Sequence, residues 1–140
     1  MLLQSFFLID TGIKRALDQT LSVELLPQTS AYGEAFEHWF ILEVLKRTSY
    51  RQLDWLFSYL RTKHDTEIDL IITRPGEPRL LVEIKSKSRV TEDDARALER
   101  IAPQVDAHAE LWLVSADPLT RKFGATTAMH WQQALRNWFG

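Results

Sequence analysis

Apolar positions recur along this chain with two different periods. In TSAYGEAFEHWFILEVLKR, Phe36, Trp39, Phe40, Val44 and Leu45 fall at helical spacing. That pattern predicts a helix over about residues 31–47 with one broad buried face, capped by Thr29 or Ser30. In LDWLFSYLRT (53–62), Leu53, Trp55, Phe57 and Tyr59 alternate with other residues, as in a strand. Two further strands are expected at 67–73 and 79–87, joined by RPGEP, whose Pro and Gly supply turn geometry that a strand rejects. TEDDARALERIA starts a helix with Thr91 as N-cap and three acidic residues in the first turn. AELWLVSAD (109–117) is a fourth strand, and the amphipathic WQQALRNWF a closing helix. Upstream, QSFFLI (4–9) reads as a short strand or docking segment, TGIKRALDQTL as a polar helix, and Pro27 as a loop.

The order helix, three strands, helix, strand predicts an α/β domain with a mixed four-stranded sheet flanked by helices. A chain of 140 residues suits one domain. It divides into an N-terminal extension (1–28), a core (29–117) and a C-terminal segment with its helix (118–140). The net charge of −2 excludes a strongly basic nucleic-acid binder but not a local basic patch. Without Cys there are no disulfides and no thiolate metal ligands. MLLQSFFLID is too short for a membrane span and lacks the marks of a signal peptide, so a soluble cytoplasmic protein is expected.

Charge interrupts the central hairpin. Glu67 and Asp69 are two apart on its first strand, and Glu83, Lys85 and Lys87 follow the same rule on its second. Ile68, Leu70 and Ile72, with Leu80, Val82 and Ile84, would then take the opposite, apolar face. With the turn centred on Gly76, Thr73 stands across from Arg79 and Asp69 across from Glu83. Cross-strand neighbours are ~4.5–5.5 Å apart at Cβ, so two carboxylates there repel unless a cation lies between them. Oxygen-only ligands suit a hard ion, Mg²⁺ or Mn²⁺. Such an ion can stabilise charge on a phosphodiester, with Lys85 positioned to bind a phosphate oxygen or shift the pKa of a water. The plain alternative is a solvated face balanced by cross-strand ion pairs, since D-x(13)-E-x-K arises often by accident.

EIDL, a turn and VEIK, preceded by GEAFEHW on a helix, resemble the PD-(D/E)xK, or restriction-endonuclease-like, nuclease superfamily. The resemblance implies an α-β-β-β-α-β core and a Mg²⁺- or Mn²⁺-dependent DNA phosphodiesterase. It further implies Asp69 and Glu83 as metal ligands, Lys85 as catalytic lysine and Glu37 as helix carboxylate; Ile68 stands where that family often has Pro. Over nearly the whole chain, FFLIDTGIKRAL, YGEAFEHWFILEVLK, YLRTKHDTEIDLII and LLVEIKS are similar to the uncharacterised C-terminal domain of a prokaryotic family of AAA-type ATPases. Where that family often has Asn, this chain has His38. The ATPase domain and the G-x(4)-G-K-[ST] loop are missing, so ATP binding is not expected. The alternative implied by this resemblance is a catalytically inactive interaction module, forming a homodimer or docking to a protein such as an ATPase.

Other residues admit two readings. Glu67 is either a neighbour of Asp69 or the ion-pair partner of Arg61 or Lys87. Arg61, Lys63, Lys87 and Arg89 are candidates for tracking a nucleic-acid backbone, or simply solvated charges. His38, His64, His108 and His130 lack metal-ligand spacing. Trp112, Trp131 and Trp138 are expected in the core rather than against a base.

Overall fold

The computed structural model describes residues 5–8, 30–61 and 66–140. Helix α1 (Ser30–Tyr50) is followed by strands β2 (Leu56–Arg61), β3 (Glu67–Thr73) and β4 (Leu80–Ile84), after β1 (Ser5–Leu8) at the start of the chain. Helix α2 (Glu92–Val105), strands β5 (Glu110–Ser115), β6 (Arg121–Phe123) and β7 (Thr126–His130), and helix α3 (Trp131–Phe139) complete it. The predicted TGIKRALDQTL helix, Pro27, Thr29, Lys63 and His64 lie outside the described residues.

The predicted order of helix, three strands, helix and strand is present, but the sheet is larger than the four strands expected. It is seven-stranded, ordered β1-β2-β3-β4-β5-β7-β6. The first four strands are antiparallel neighbours, whereas β4, β5 and β7 run parallel. The strands missed from sequence are β6 and β7. Gly124, at φ 60°, turns a hairpin within RKFGATTAMH, a segment too polar to show strand periodicity.

Both faces of the sheet are covered. Phe40, Ile41 and Val44 of α1 and Leu135 and Trp138 of α3 pack over Leu70, Ile72, Leu80 and Val82. On the other face Leu98, Ile101 and Ala102 of α2 cover Ile68, Ile71, Leu81 and Leu111. This corrects the expectation of one apolar and one charged hairpin face. Parallel strands sandwiched between helices need apolar residues on both sides, and β4 supplies them as Leu80–Leu81–Val82. Trp112 and Trp138 are in the core as expected; Trp131 is only half-buried.

α1 runs three residues past its predicted end. There Leu53 N–H donates to the Thr48 carbonyl (3.0 Å) and Gln52 N–H to that of Ser49 (3.0 Å). Gln52 takes the left-handed conformation (φ 54°) that this terminating motif requires. Because the chain turns here, Leu53 and Trp55 precede β2, and Leu53 is exposed instead of lying on the strand's apolar face. α2 starts as predicted: the Asp94 carboxylate accepts from Thr91 N–H (2.8 Å).

Candidate functional site

The predicted hairpin register is observed, with Leu70 opposite Val82, Ile71 opposite Leu81 and Ile72 opposite Leu80. The ladder then stops, although β3 begins at Glu67 and β4 continues to Ile84. In the space where the next rungs would form, Asp69 Oδ2 accepts a hydrogen bond from Ile84 N–H at 2.8 Å. Asp69 thus substitutes for a backbone acceptor at a fork in the sheet.

On its other edge β3 carries a bulge. Ser58 pairs with Ile71 but Leu60 pairs with Ile68, so Tyr59 alone stands against Asp69 and Leu70. The extra residue breaks strict alternation, which is why Ile68 and Ile71, three apart, share the α2 face. The bulge re-aims Asp69 toward α1, where Glu37 and His38 meet Tyr59, Arg61, Glu67 and Asp69 around a cavity of about 200 Å³.

β4 brings Glu83 to the same fork, and Lys85 follows just past the strand's end, its N–H donating to the Val114 carbonyl at 2.9 Å. Lys85 Nζ lies 3.3 Å from Glu83 Oε1, with side-chain exposures of 38% and 13%. This ammonium is one cation facing several carboxyls. Burial pushes Glu37 up to about 8, and repulsion from Asp69, Glu67 and Glu83 adds to it. Burial and then Asp69 push Glu83 up to about 8 against the opposing pull of Lys85. Burial likewise raises Asp69 to about 6, resisted by the Ile84 N–H and Lys85. Burial works against the charge on Lys85, but Glu83, its hydrogen bond and Asp69 together hold its pKa above the ordinary lysine value.

The fold therefore gathers Glu37, Asp69, Glu83 and Lys85 from three elements into one electrostatically coupled group. Glu67 sits at its rim, where its exposed carboxylate pairs with Arg61 at 3.2 Å. The basic residues are less concentrated. Lys87 is held at 2.7 Å by Asp94, which is itself fixed by the start of α2, and Arg89 is exposed. His38 was not picked out as a site residue, yet it lines the cavity and its Nδ1 is buried without a hydrogen-bond partner. Its place directly after Glu37 was the available signal.

Among the described residues, no group of three or more His, Asp or Glu is gathered tightly enough to hold a metal ion by itself. The donor chemistry still fits a hard cation. The acidic oxygens outnumber the local ammonium, and Mg²⁺ characteristically takes only one or two protein carboxylates beside water and substrate phosphate.

These features define a mixed α/β domain with a buried acidic site at a sheet fork. The chain belongs to the DUF4143 family, a domain of unknown function, whose profile matches residues 32–133. That stretch contains Glu37, Asp69, Glu83 and Lys85. Comparison with curated proteins and with solved structures gave no match. Among the described residues, no helix is long and apolar enough to cross a membrane.

Proposed function

We propose that the chain is a metal-dependent phosphodiesterase acting on DNA, built on a restriction-endonuclease-like core. The observation that carries this reading is the convergence of Glu37, Asp69 and Glu83 with Lys85 at the fork between β3 and β4. A protein that only needed stability would gain from removing such repulsion, whereas perturbed carboxyls in a cavity mark functional sites.

In this reading Asp69 and Glu83 hold Mg²⁺ or Mn²⁺, with Glu37 as a further oxygen donor. Once bound, the ion supplies Lewis-acid stabilisation of charge on a phosphodiester. The Ile84 N–H fixes the direction of the Asp69 carboxylate, and Lys85 holds Glu83 in place. Lys85 also offers a positive charge to a non-bridging phosphate oxygen, where charge grows during displacement. Loss of its ammonium in Lys85→Ala removes that stabilisation.

Calorimetric titration of Mn²⁺ and Mg²⁺ into the protein and into Asp69→Asn, followed by cleavage of labelled DNA, tests the proposal. Binding that disappears in the variant, with metal-dependent cleavage lost in Lys85→Ala, supports it. A protein that binds neither ion with or without DNA is not a nuclease of this type.

One observation favours a second reading, an inactive interaction module. Tyr50 (91% exposed), Leu53 and Leu56 (60% exposed) lie close in sequence at the turn from α1 into β2, each an apolar side chain open to solvent. A concentration-dependent dimer that Leu56→Lys abolishes, in a protein without metal binding, would identify that role. Its partner would then be a second copy or a protein such as the AAA-type ATPase that the sequence resembles.

A further inference from the structure

A second concave surface lies between α1 and α3, away from the fork. On α1, Trp39, Glu43 and Arg47 recur every four residues and so form one row along the helix, which Arg51 extends in the turn just past its end. Trp131, Arg136 and Phe139 of α3 form the facing wall of a groove of about 410 Å³. Arg47 is ion-paired with Glu43 at 2.6 Å, which leaves Arg51 and Arg136 to carry the positive charge of the groove, in a chain whose net charge is −2. Arg51 and Arg136 are both exposed.

The aromatic rings are interleaved with these charges. Trp131 meets Trp39 edge-on, with centroids 4.7 Å apart at 88°. His130 lies over Trp131 at 5.3 Å and 32°. At the far end Arg51 sits 5.5 Å above the Phe139 ring. Both tryptophans are half-buried, so each is anchored while still lining the groove. The row from Trp39 to Arg51 runs ~18 Å along the helix axis, enough for several units of an extended polymer.

The topology sets one wall of this groove at the same end of the sheet as the fork. β4, β5 and β7 are parallel, with Ile84 beside Val114 and Val114 beside Met129. His130 and Trp131 therefore leave the sheet at the end where Lys85 leaves it.

We infer that this groove binds single-stranded nucleic acid, with bases stacked against Trp39 and Trp131 and phosphates met by Arg51 and Arg136. The chemistry selects that ligand: aromatic faces accept any base and guanidiniums track the backbone. An acidic peptide would use the arginines but has no need of the tryptophans. The inference deepens the nuclease reading by supplying a path for the strand to the fork, but the binding itself requires neither metal nor cleavage.

The test is fluorescence anisotropy of labelled oligothymidylate with the full chain in EDTA, where the absence of cleavage leaves binding readable. Trp131→Ala should weaken binding about 5- to 100-fold. Arg51→Gln and Arg136→Gln, on exposed positions where folding is not at risk, should each reduce the slope of log K against log salt by ~0.7. Arg100→Gln, exposed on α2 across the sheet, should change neither quantity. Equal affinity in the wild-type protein and all three groove variants overturns the inference, as does binding of duplex but not of single strands. If polyglutamate displaces the oligonucleotide at equal charge concentration, the groove belongs to an acidic protein segment instead.

Discussion

Asp69 and Ile84 are joined by a side-chain-to-backbone hydrogen bond of 2.8 Å at the point where β3 and β4 part. The carboxylate is thus both a structural acceptor and the central acid of the cluster. The two roles separate by substitution. Asp69→Asn keeps an amide oxygen for Ile84 N–H and removes the negative charge, so the fold should survive and metal binding should not. Asp69→Ala leaves that N–H without its partner and should cost about 1–3 kcal/mol. Urea unfolding of both variants beside a Mn²⁺ titration checks this. Equal stability of the Ala and Asn variants would show that the bond does not hold the fork.

The raised carboxyls make a pH prediction with a definite sign. Glu37 and Glu83 titrate at about 8 in the folded chain and at an ordinary 4.5 when unfolded, and Asp69 at about 6 against 3.8. Between these limits the folded state holds more protons than the unfolded one, so stability falls as pH rises. The contribution is fully present below the ordinary carboxylate values and is lost as pH passes through about 6 and then 8. In metal-free buffer the unfolding free energy should therefore decline from about pH 5 to about pH 8.5. Glu37→Gln should flatten the decline and gain about 1–2 kcal/mol at the upper end, the repulsion being partly screened by solvent. A profile that is flat, or that rises with pH, contradicts the coupling described for the cluster.

Some of this was legible in the sequence and some was not. The hairpin register could be read because Gly76 and the flanking prolines fix the turn, and a turn fixes the pairing of everything beyond it. Glu37 could be placed on α1 by helical spacing alone. The bulge at Asp69 could not be read, since one extra residue on β3 becomes visible only when Tyr59 of β2 is aligned against it. Strict alternation therefore placed Ile68 with Leu70, whereas tertiary packing puts them on opposite faces. β7 was hidden for a related reason: TTAMH is a strand because β5 pairs with it, not because of its own pattern. Leu53 was assigned to a strand on apolar alternation that the turn at Gln52 interrupts.

That turn makes its own prediction. Gln52 has a left-handed backbone (φ 54°) where Gly has no steric penalty. Gln52→Gly should stabilise the chain by about 0.5–1 kcal/mol, after the extra entropy of Gly in the unfolded state is counted. The midpoint of chemical unfolding reads this directly, and a loss of stability would mean that the Gln52 side chain carries a contact outweighing the backbone cost.

Gly124 is the opposite case, a left-handed position where a side chain must displace Glu99. Its φ is 60°, and a Cβ built there would run into Glu99 Oε1. That same oxygen accepts from Ala125 N–H at 2.9 Å, tying α2 to the β6–β7 turn. Gly124→Ala should therefore strain the backbone and displace Glu99, costing about 2–4 kcal/mol. The two causes can be separated with Glu99→Ala, which removes the clash but leaves the backbone strain. The double variant should thus be less damaged than the sum of its parts, with a coupling of about 0.5–2 kcal/mol. Strict additivity would show that the hairpin moves aside without disturbing α2. Because β7 leads straight into Trp131, such movement would also shift the tryptophan at the mouth of the α1–α3 groove, and its fluorescence would report it.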